Sequence, residues 1–396
     1  MTRTRQVTGK PMISRGTALR GADVRIGIML RAIDEKGGIG VYTENLVREL
    51  LGLDTVNEYV LLYRSGERVG RLADSPRVRE RVLRGSNTAF WDQIAVPWAC
   101  RRERIDVLLH PKFTVPLLAP CPSVMVVHGA DWFVPEQARF YEPLDVLYVR
   151  TVMPWYFRKA AVVISVSQLT TQNFERALDL PPGRIRTVYF APARHFARVE
   201  SPERLRAVRE RHGLPERFIF TLTKRFGSGR KNFEGVVRAY ARYHRDAGRP
   251  LPLVVGGADC EGLRREHDLP EDGWGADVLF PGWLDQADLP AIYSQAALFL
   301  YPSNLEAFPI PITEALACGT PIVTSNANGL EEIAGEAALL VPPDDPEAIA
   351  AAIARVLDDP ELAGSLRQAA LERSKRYSWE RCARQTLSIL EEAAAR

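Results

Sequence analysis

Short apolar runs alternate with longer amphipathic segments along the whole chain, and this alternation predicts strands and helices in turn. The runs are almost wholly apolar, as expected for strands that are covered on both faces of a parallel sheet. The predicted fold class is therefore α/β with doubly wound sheets. The predicted strands are Val24–Leu30, Tyr59–Tyr63, Asp106–His110, Ser123–His128, Ala161–Ser167, Arg184–Phe190, Phe218–Thr223, Leu253–Gly257, Val278–Gly282, Ala297–Tyr301, Pro321–Ser325 and Ala338–Val341.

Each half of the chain contains its own series of alternating strands and helices, which predicts two Rossmann-like domains. We assign residues 23–195 to the first domain and residues 196–377 to the second, joined through the mixed-charge stretch Ala191–Glu200. Two final helices are predicted at Pro360–Tyr377 and Trp379–Ala395. Ligands of such sheets bind beyond the carboxyl ends of the strands, so we expect the site in the cleft between the two domains.

Composition excludes several classes of protein. The net charge of +3 gives no electrostatic basis for nucleic-acid binding. The five cysteines are scattered without a CxxC pair, which argues against zinc and a disulfide framework and favours a reducing cytoplasm. No apolar run reaches the roughly 18 residues of a membrane span. Residues 1–22 carry basic but no acidic side chains; we expect a disordered tail, with a membrane-surface arm as the alternative.

The segment Ser303–Pro321 carries two glutamates, Glu306 and Glu314, around a proline-rich helix start. Prolines at 309 and 311 are tolerated only around the first turn of a helix, so we expect the helix to begin between them. A helix start leaves amides free for an anion, here those of Phe308, Ile310 and Ile312. Carboxylates beside a phosphate fit only if they face neutral sugar hydroxyls, which points to a nucleotide sugar.

Cations for the phosphates are present in a glycine-rich turn after the run Phe218–Thr223. Arg225 and Lys231 flank this turn, and a helix is expected from about Asn232. Arginine grips two phosphate oxygens, whereas lysine acts as a point charge. Taken one at a time, the glutamates have an alternative role as partners of the helix dipole, and the basic pair could be an ordinary solvated turn.

These motifs together resemble those of retaining glycosyltransferases of family 4, and the resemblance extends from Val24 to the end of the chain. It implies a GT-B arrangement in which the last helix, within residues 378–396, crosses back onto the first domain. It also implies that Glu314 holds the ribose hydroxyls, that Glu306 contacts the donor sugar, and that Arg225 and Lys231 bind the diphosphate. The sequence departs from the family at Pro309, which lacks the amide of the glycine common there.

The resemblance also selects residues at other strand ends. His128 matches a histidine that lies against the donor sugar in the family, although Gly129 and Ala130 separate it from the next aspartate, Asp131. Gly38, in the turn GGIG, is expected to contact the acceptor or a phosphate. The segment Phe280–Leu284, which includes Gly282, is expected beside the nucleotide base, before a helix capped by Asp285. For Asn326–Glu332, a position facing the cleft and an ordinary helix cap are both open.

We therefore predict transfer of a hexose, with mannose favoured, from a nucleoside diphosphate sugar to a glycan or lipid-linked glycan, with retention and without a metal. A GDP-sugar is slightly favoured over a UDP-sugar as the donor, and no separate cofactor is expected. The predicted catalytic residues are His128, Glu306, Arg225 and Lys231. The predicted donor-binding residues are Gly38, Arg225, Lys231, Gly282, Phe308, Ile310, Glu306 and Glu314.

Basic and aromatic stretches at Arg101–Arg104 and Trp155–Lys159 could touch the inner face of an anionic membrane, although solvated helix faces are favoured for them. Two other functions use the same architecture. One is a nucleotide-sugar epimerase, which would convert its substrate without an acceptor. The other is a catalytically silent subunit of a glycosylation complex, which the full set of motif residues disfavours.

Overall fold

The computed structural model describes residues 23–35, 37–72, 75–224 and 228–396. The predicted tail, residues 1–22, and the predicted phosphate ligand Arg225 lie outside the described residues. The described chain forms two parallel sheets, one in each half, with helices on their faces. The predicted α/β fold with two Rossmann-like domains is confirmed.

The first sheet has the strand order β3-β2-β1-β4-β5-β6-β7, and all its pairs are parallel. Its order turns back at β1, so that β1 and β4 are neighbours and the loops after them diverge to opposite sides. The strands are β1 Arg25–Met29, β2 Glu58–Tyr63, β3 Val78–Val82, β4 Val107–His110, β5 Ser123–Val127, β6 Val162–Ser165 and β7 Ile185–Thr187.

The second sheet has the order β10-β9-β8-β11-β12-β13, again with parallel pairs throughout. Here β8 and β11 are neighbours at the point where the order turns back, and this juxtaposition brings the segments after both strands together. The strands are β8 Ile219–Leu222, β9 Leu253–Gly256, β10 Val278–Leu279, β11 Leu298–Tyr301, β12 Ile322–Ser325 and β13 Ala338–Val341.

Helices cover both sheets. The longer ones are α1 Gly38–Leu53, α2 Val96–Glu103, α3 Pro143–Lys159, α4 Gln168–Ala177, α5 Pro202–Arg211, α6 Phe233–Asp246, α7 Leu289–Gln295, α8 Ile310–Cys318, α9 Gly329–Ala334, α10 Pro346–Asp358, α11 Pro360–Ser374 and α12 Trp379–Ala394. Short helical turns occur at Thr88–Phe90, Pro135–Ala138, Ser228–Lys231 and Leu263–Glu266. In the described part of the chain, no helix has both the length and the apolar character needed to cross a lipid bilayer.

The last helix returns to the first domain. Helix α12 packs against α1, and the indole of Trp379 donates a hydrogen bond to the carbonyl of Pro192 at 2.8 Å. The Trp379 ring also lies against Tyr42 and Phe190, and Phe190 in turn stacks on Phe308 with ring centroids 3.9 Å apart. A continuous aromatic core therefore joins the two domains below the cleft.

The structure contains one strand that the sequence analysis omitted, and it corrects one predicted helix start. Strand β3 was not predicted, because its sequence VRERV is polar and its side chains are mostly exposed at the edge of the sheet. The helix after Phe280–Leu284 begins at Leu289, with Asp288 rather than Asp285 at its N-cap position. The Asp288 carboxylate does not cap the helix but accepts hydrogen bonds from the side chains of Arg211 and His212.

Candidate active site

Glu306 lies in the loop between β11 and α8. Helix α8 begins at Ile310 with Pro309 at the N-cap position, so the helix start predicted from the prolines is confirmed. The amide of Ile312 donates to the carbonyl of Pro309 at 3.1 Å and is therefore not free for a ligand, contrary to expectation. The amides of Phe308 and Ile310 remain the candidates for an anion at this helix start.

The Glu306 carboxylate is the centre of a buried polar cluster. Lys231 makes an ion pair with Glu306 and also donates a hydrogen bond to the Tyr301 hydroxyl. The Tyr301 hydroxyl donates to the same carboxylate oxygen at 2.9 Å. The Lys231 and Glu306 side chains are only 14% and 10% exposed. The structure thus brings together two residues that are 75 positions apart in sequence and were predicted to share one site.

Charges around Glu306 keep it ionised. Burial alone would raise the pKa of this carboxyl, but the positive charges of Lys231 and Arg230 and the hydrogen bonds from Lys231 and Tyr301 outweigh burial and lower it. Conversely, burial and the neighbouring Glu306 charge raise the pKa of Tyr301, so its hydroxyl stays protonated and acts as a donor. The site therefore holds a fixed anion that can accept hydrogen bonds from sugar hydroxyls.

Glu314 lies on α8 and is 7% exposed. Its carboxylate accepts a hydrogen bond from the Tyr293 hydroxyl at 2.9 Å. Burial raises the pKa of Glu314 to about 7, and the hydrogen bond from Tyr293 offsets only part of this effect. Without a cation beside it, Glu314 is protonated in part near neutral pH, unlike Glu306.

A hydroxyl ligand that donates to Glu314 should bind its ionised form best. With the pKa at about 7, the ionised fraction rises by about tenfold between about pH 6 and about pH 8. We expect nucleoside diphosphate binding to strengthen with pH by up to that factor, beyond the contribution of the phosphate itself. Calorimetric titration of wild type and Glu314→Gln separates the two contributions, because only the variant lacks the carboxyl. Equal pH dependence in both proteins would contradict the predicted ribose contact.

The same pKa makes a prediction for the protein without ligand. The pKa of Glu314 is higher in the folded protein, at about 7, than in an unfolded chain, where it is about 4.3. Between these values the folded state binds more protons, so this group lowers the free energy of unfolding as pH rises through the window. Glu314→Gln should flatten that part of the stability profile measured by urea unfolding.

Arg230 is a site residue that the sequence analysis missed. It lies in the short helical turn Ser228–Lys231, directly before Lys231, and its guanidinium donates to the Tyr141 hydroxyl at 3.2 Å. It also lies 4.0 Å from the carboxylate of Asp131, which accepts a hydrogen bond from Tyr141 at 2.6 Å. Burial and the Glu306 charge raise the pKa of Asp131, against the opposite influence of Tyr141 and Arg230. Arg230 thus links the second domain to the first across the cleft.

His128 follows strand β5 at the cleft edge of the first sheet. Its Nε2 lies 2.7 Å from the carbonyl oxygen of Pro111, so this nitrogen carries the hydrogen and Nδ1 is left as an acceptor. Burial lowers the pKa of His128 to about 4, and the ring is therefore neutral near pH 7. Tyr42 and Phe113 pack edge-on against the imidazole and fix its orientation.

Small residues let the two domains approach closely at the site. A side-chain carbon at Gly38 would lie 3.3 Å from the side chain of Ile310, which places the GGIG turn against the start of α8. A side-chain carbon at Gly129 would likewise lie 3.3 Å from Ala307, so the residues after His128 and after Glu306 are neighbours.

Other predicted residues lie elsewhere. The Phe308 ring packs on Phe190 in the core between the domains, so only its backbone can face a ligand. Gly282 follows the edge strand β10, two strands away from β8, and adopts φ 77 beside Glu261. Its predicted contact with the base and the role of Arg225, which lies outside the described residues, stay predictions.

The segment Asn326–Glu332 joins the domains on the other side of the cleft. The Glu332 carboxylate accepts hydrogen bonds from the amides of Gln168 and Leu169, at 2.7 and 2.9 Å, which belong to the first turn of α4. It also accepts a hydrogen bond from the Tyr189 hydroxyl at 2.7 Å. A carboxylate at a helix start is favourable because free amides and the helix dipole both face it. Glu332 thus fastens the second domain to the first.

Removing this carboxylate should loosen the contact between the domains. In Glu332→Ala, two amides and one hydroxyl lose their acceptor, at an expected cost of about 1–3 kcal/mol in the free energy of unfolding. We also expect a larger radius of gyration by small-angle X-ray scattering. Glu331→Ala, at an exposed neighbouring position, is the matched control. Unchanged scattering and an unchanged unfolding midpoint in Glu332→Ala would show that the hydrogen bonds of Glu332 do not hold the two domains together.

Comparisons with known proteins give the family of the chain. The model of the Glycosyltransferase Family 4 matches residues 36–190, and that of the Glycosyl transferases group 1 matches residues 206–373. O-antigen chain mannosyltransferase B of Escherichia coli is 29% identical over 301 residues, which cover 74% of this chain and 75% of that protein.

Solved structures share the architecture of the whole chain. Sucrose-phosphate synthase from Thermosynechococcus elongatus has a TM-score of 0.72 at 23% identity, covering 94% of this chain and 99% of that one. Anabaena HepE, solved with UDP and glucose, has a TM-score of 0.69 at 18% identity, covering 93% of this chain and 100% of that one. The fold is GT-B, with two Rossmann-like domains across a cleft. The two family models together match most of the chain, with the glycosyl transferases group 1 family in its second half, and the protein is a glycosyltransferase.

Proposed function

We propose that the protein transfers a hexose from a nucleoside diphosphate sugar to a hydroxyl of a glycan or lipid-linked glycan, with retention at the anomeric carbon and without a metal. The observation that carries this proposal is the cluster of Lys231, Glu306 and Tyr301 beside the free amides that begin α8. It combines a cation and backbone donors for phosphate with a carboxylate for sugar hydroxyls, which is the recognition chemistry of a nucleotide sugar.

The reaction step follows from where the charges lie. The bond between the anomeric carbon and the diphosphate oxygen breaks, and its electron pair stays on the departing diphosphate. Lys231 and the helix amides stabilise that growing negative charge, and the motif predicts the same role for Arg225. The acceptor oxygen bonds to the anomeric carbon on the same face, and the departing phosphate oxygen takes the acceptor's proton. Glu306 and Glu314 bind hydroxyls rather than act as acid and nucleophile, because both belong to the same domain.

His128 is neutral and keeps Nδ1 as an acceptor, so it has the character of a hydroxyl-binding group rather than a charged one. The relative from Escherichia coli supports mannose as the transferred sugar and a polysaccharide precursor as the acceptor. A GDP-sugar is our first choice of donor; the HepE complex with UDP makes a UDP-sugar the second.

The test is incubation of the protein with GDP-mannose or UDP-glucose, with and without a hydroxyl acceptor such as a synthetic mannoside, in EDTA. We expect the release of nucleoside diphosphate to be slow without an acceptor and faster with one. NMR of the product should show an axial, α-configured glycoside. Conversion of the nucleotide sugar to an isomer, without nucleotide release, would instead identify an epimerase. Failure of every donor to react would favour the silent subunit.

A further inference from the structure

The first domain carries an outward-facing apolar helix face. On the 17-residue helix α3, Leu144, Leu147, Tyr148 and Trp155 are all exposed, from 59% for Trp155 to 79% for Leu144. Their spacing of three, four and eleven positions puts them on one side of a helix. The buried residues of α3, Met153 and Phe157, lie on the opposite side. The helix therefore packs on the domain through one apolar face and presents a second one to the outside.

Two neighbouring segments extend this surface. In residues 88–103 the exposed large side chains are Phe90, Ile94 and Trp98, each four positions after the last. The loop 115–119 adds Leu117 and Leu118, which are also exposed.

Hydrogen bonds hold the three segments side by side. The Gln93 side chain bonds to the carbonyl of Val115 and the amide of Leu117, and Lys159 donates to the carbonyl of Ala119. We call α3, residues 88–103 and the loop 115–119 together the apolar patch. Exposed apolar surfaces of this extent mark binding sites rather than ordinary protein surface.

Basic side chains border the aromatic ones. The guanidinium of Arg102 lies over the Trp98 ring at 5.1 Å, and that of Arg158 lies over the Trp155 ring at 5.7 Å. On α3 the basic residues Arg150, Arg158 and Lys159 outnumber the single acidic residue, Asp145. In residues 88–103 both acidic side chains are buried in ion pairs with arginines, so the exposed charged side chains of this segment are all basic.

The combination of exposed apolar and basic side chains indicates which kind of partner the patch binds. Exposed leucines and tryptophans between basic side chains match the interface of an anionic lipid bilayer, where aromatic rings lie at the headgroups and arginines pair with phosphates. A second copy of the chain fits less well, because a two-fold interface would place these arginines against one another. We propose that the apolar patch binds the surface of an anionic membrane, which reverses the preference for solvated faces at Trp155–Lys159.

The patch adjoins the acceptor side of the cleft. Helix α3 begins two residues after Tyr141, which bonds to Asp131 and Arg230, and Arg150 on α3 donates to the carbonyl of Trp132 at 2.6 Å. A protein held at a membrane through this patch opens its cleft close to the headgroups. That placement suits an acceptor carried on a lipid. This consequence rests on the proposed function, whereas the proposal that the patch binds a membrane is independent of it.

The test is co-sedimentation of the full chain with phosphatidylcholine vesicles, with and without phosphatidylglycerol. Wild type should bind the anionic vesicles and bind neutral ones weakly. The triple variant Leu144→Ser, Leu147→Ser, Trp155→Ser should lower the partition coefficient by at least about tenfold, because three apolar side chains no longer leave water. The double variant Arg102→Gln, Arg158→Gln should lose about fivefold per charge on anionic vesicles only.

A control variant, Val56→Ser with Val82→Ser, removes two exposed apolar side chains outside the patch and should bind vesicles as wild type does. Absence of wild-type binding to anionic vesicles, or equal binding by the triple variant, overturns the proposal. A wild-type dimer that the triple variant converts to a monomer, measured by light scattering, also overturns it in favour of a protein interface. Thermal stabilisation by nucleotides, measured in parallel, reports on the donor site independently, so failure of one proposal is distinguishable from failure of the other.

Discussion

Replacing Glu306 with glutamine should lower the rate of sugar transfer by about 100- to 1000-fold while the protein stays folded. Glutamine keeps the size of the side chain but removes the negative charge that pairs with Lys231 and that strengthens the hydrogen bond from the Tyr301 hydroxyl. It also replaces two acceptor oxygens with one, so the sugar hydroxyls lose part of their anchoring. Steady-state release of nucleoside diphosphate in the presence of an acceptor measures the effect.

The matched control is Glu372→Gln, which removes an exposed glutamate that is also paired with a lysine, Lys375. That ion pair lies on the surface, where such pairs contribute little, and the control should keep wild-type turnover. Circular dichroism and the unfolding midpoint distinguish lost chemistry from lost structure. Wild-type turnover in Glu306→Gln would refute the role assigned to this carboxylate.

Lys231→Met should weaken binding of the nucleoside diphosphate by about 10- to 100-fold, because one charge-assisted hydrogen bond to a phosphate oxygen is lost. The rate of transfer should fall further, since the charge on the departing diphosphate grows during the step. Calorimetric binding and single-turnover rates separate these two contributions. Lys375→Met, at an exposed lysine, is the control.

The contact between Lys231 and Glu306 makes an additional prediction for the double variant. Each single substitution leaves a mostly buried charge without its partner, which costs on the order of 3–5 kcal/mol of stability in such pairs. The double variant removes both charges, so it should lose less of the free energy of unfolding than the two single variants lose in sum. Strict additivity would mean that the two side chains do not pair in solution.

Much of the fold was predictable because its strands are buried on both faces and therefore stand out as apolar runs. Strand β13 begins and ends where its run does, at Ala338 and Val341. The helix start at Ile310 was predictable for a different reason, since proline geometry restricts where a helix can begin. Strand β3 carries neither signal, because an exposed edge strand has few side chains to bury.

The site was predictable only in part. Glu306, Glu314 and Lys231 lie in recognisable motifs, and the structure places Glu306 and Lys231 in contact. Arg230 was missed because it is one of several basic residues in a short turn, and its partners Tyr141 and Asp131 belong to the other domain. The sequence also does not indicate where the polar end of a buried side chain will lie. Tyr301 ends an apolar run and was expected in the core, yet its hydroxyl contacts Glu306.

Glu332 illustrates the same limit. Its sequence context indicated either a helix cap or a cleft residue, and the structure shows a carboxylate that caps a helix of the opposite domain. Neither interpretation predicted this contact, because the identity of the capped helix depends on how two separate sheets come together. That arrangement is set by the aromatic core around Phe190 and Phe308 and by α12, which are contacts between distant parts of the chain.

The central claim is that this cleft binds a nucleoside diphosphate through Lys231 and Glu314. The most direct test is thermal-shift binding of GDP, UDP, ADP and dTDP, with and without magnesium, to wild type and Glu314→Ala. We predict that one nucleotide raises the unfolding temperature of wild type, that magnesium is not needed, and that the shift is lost in the variant. No shift with any nucleotide, or an equal shift in Glu314→Ala, would contradict the account.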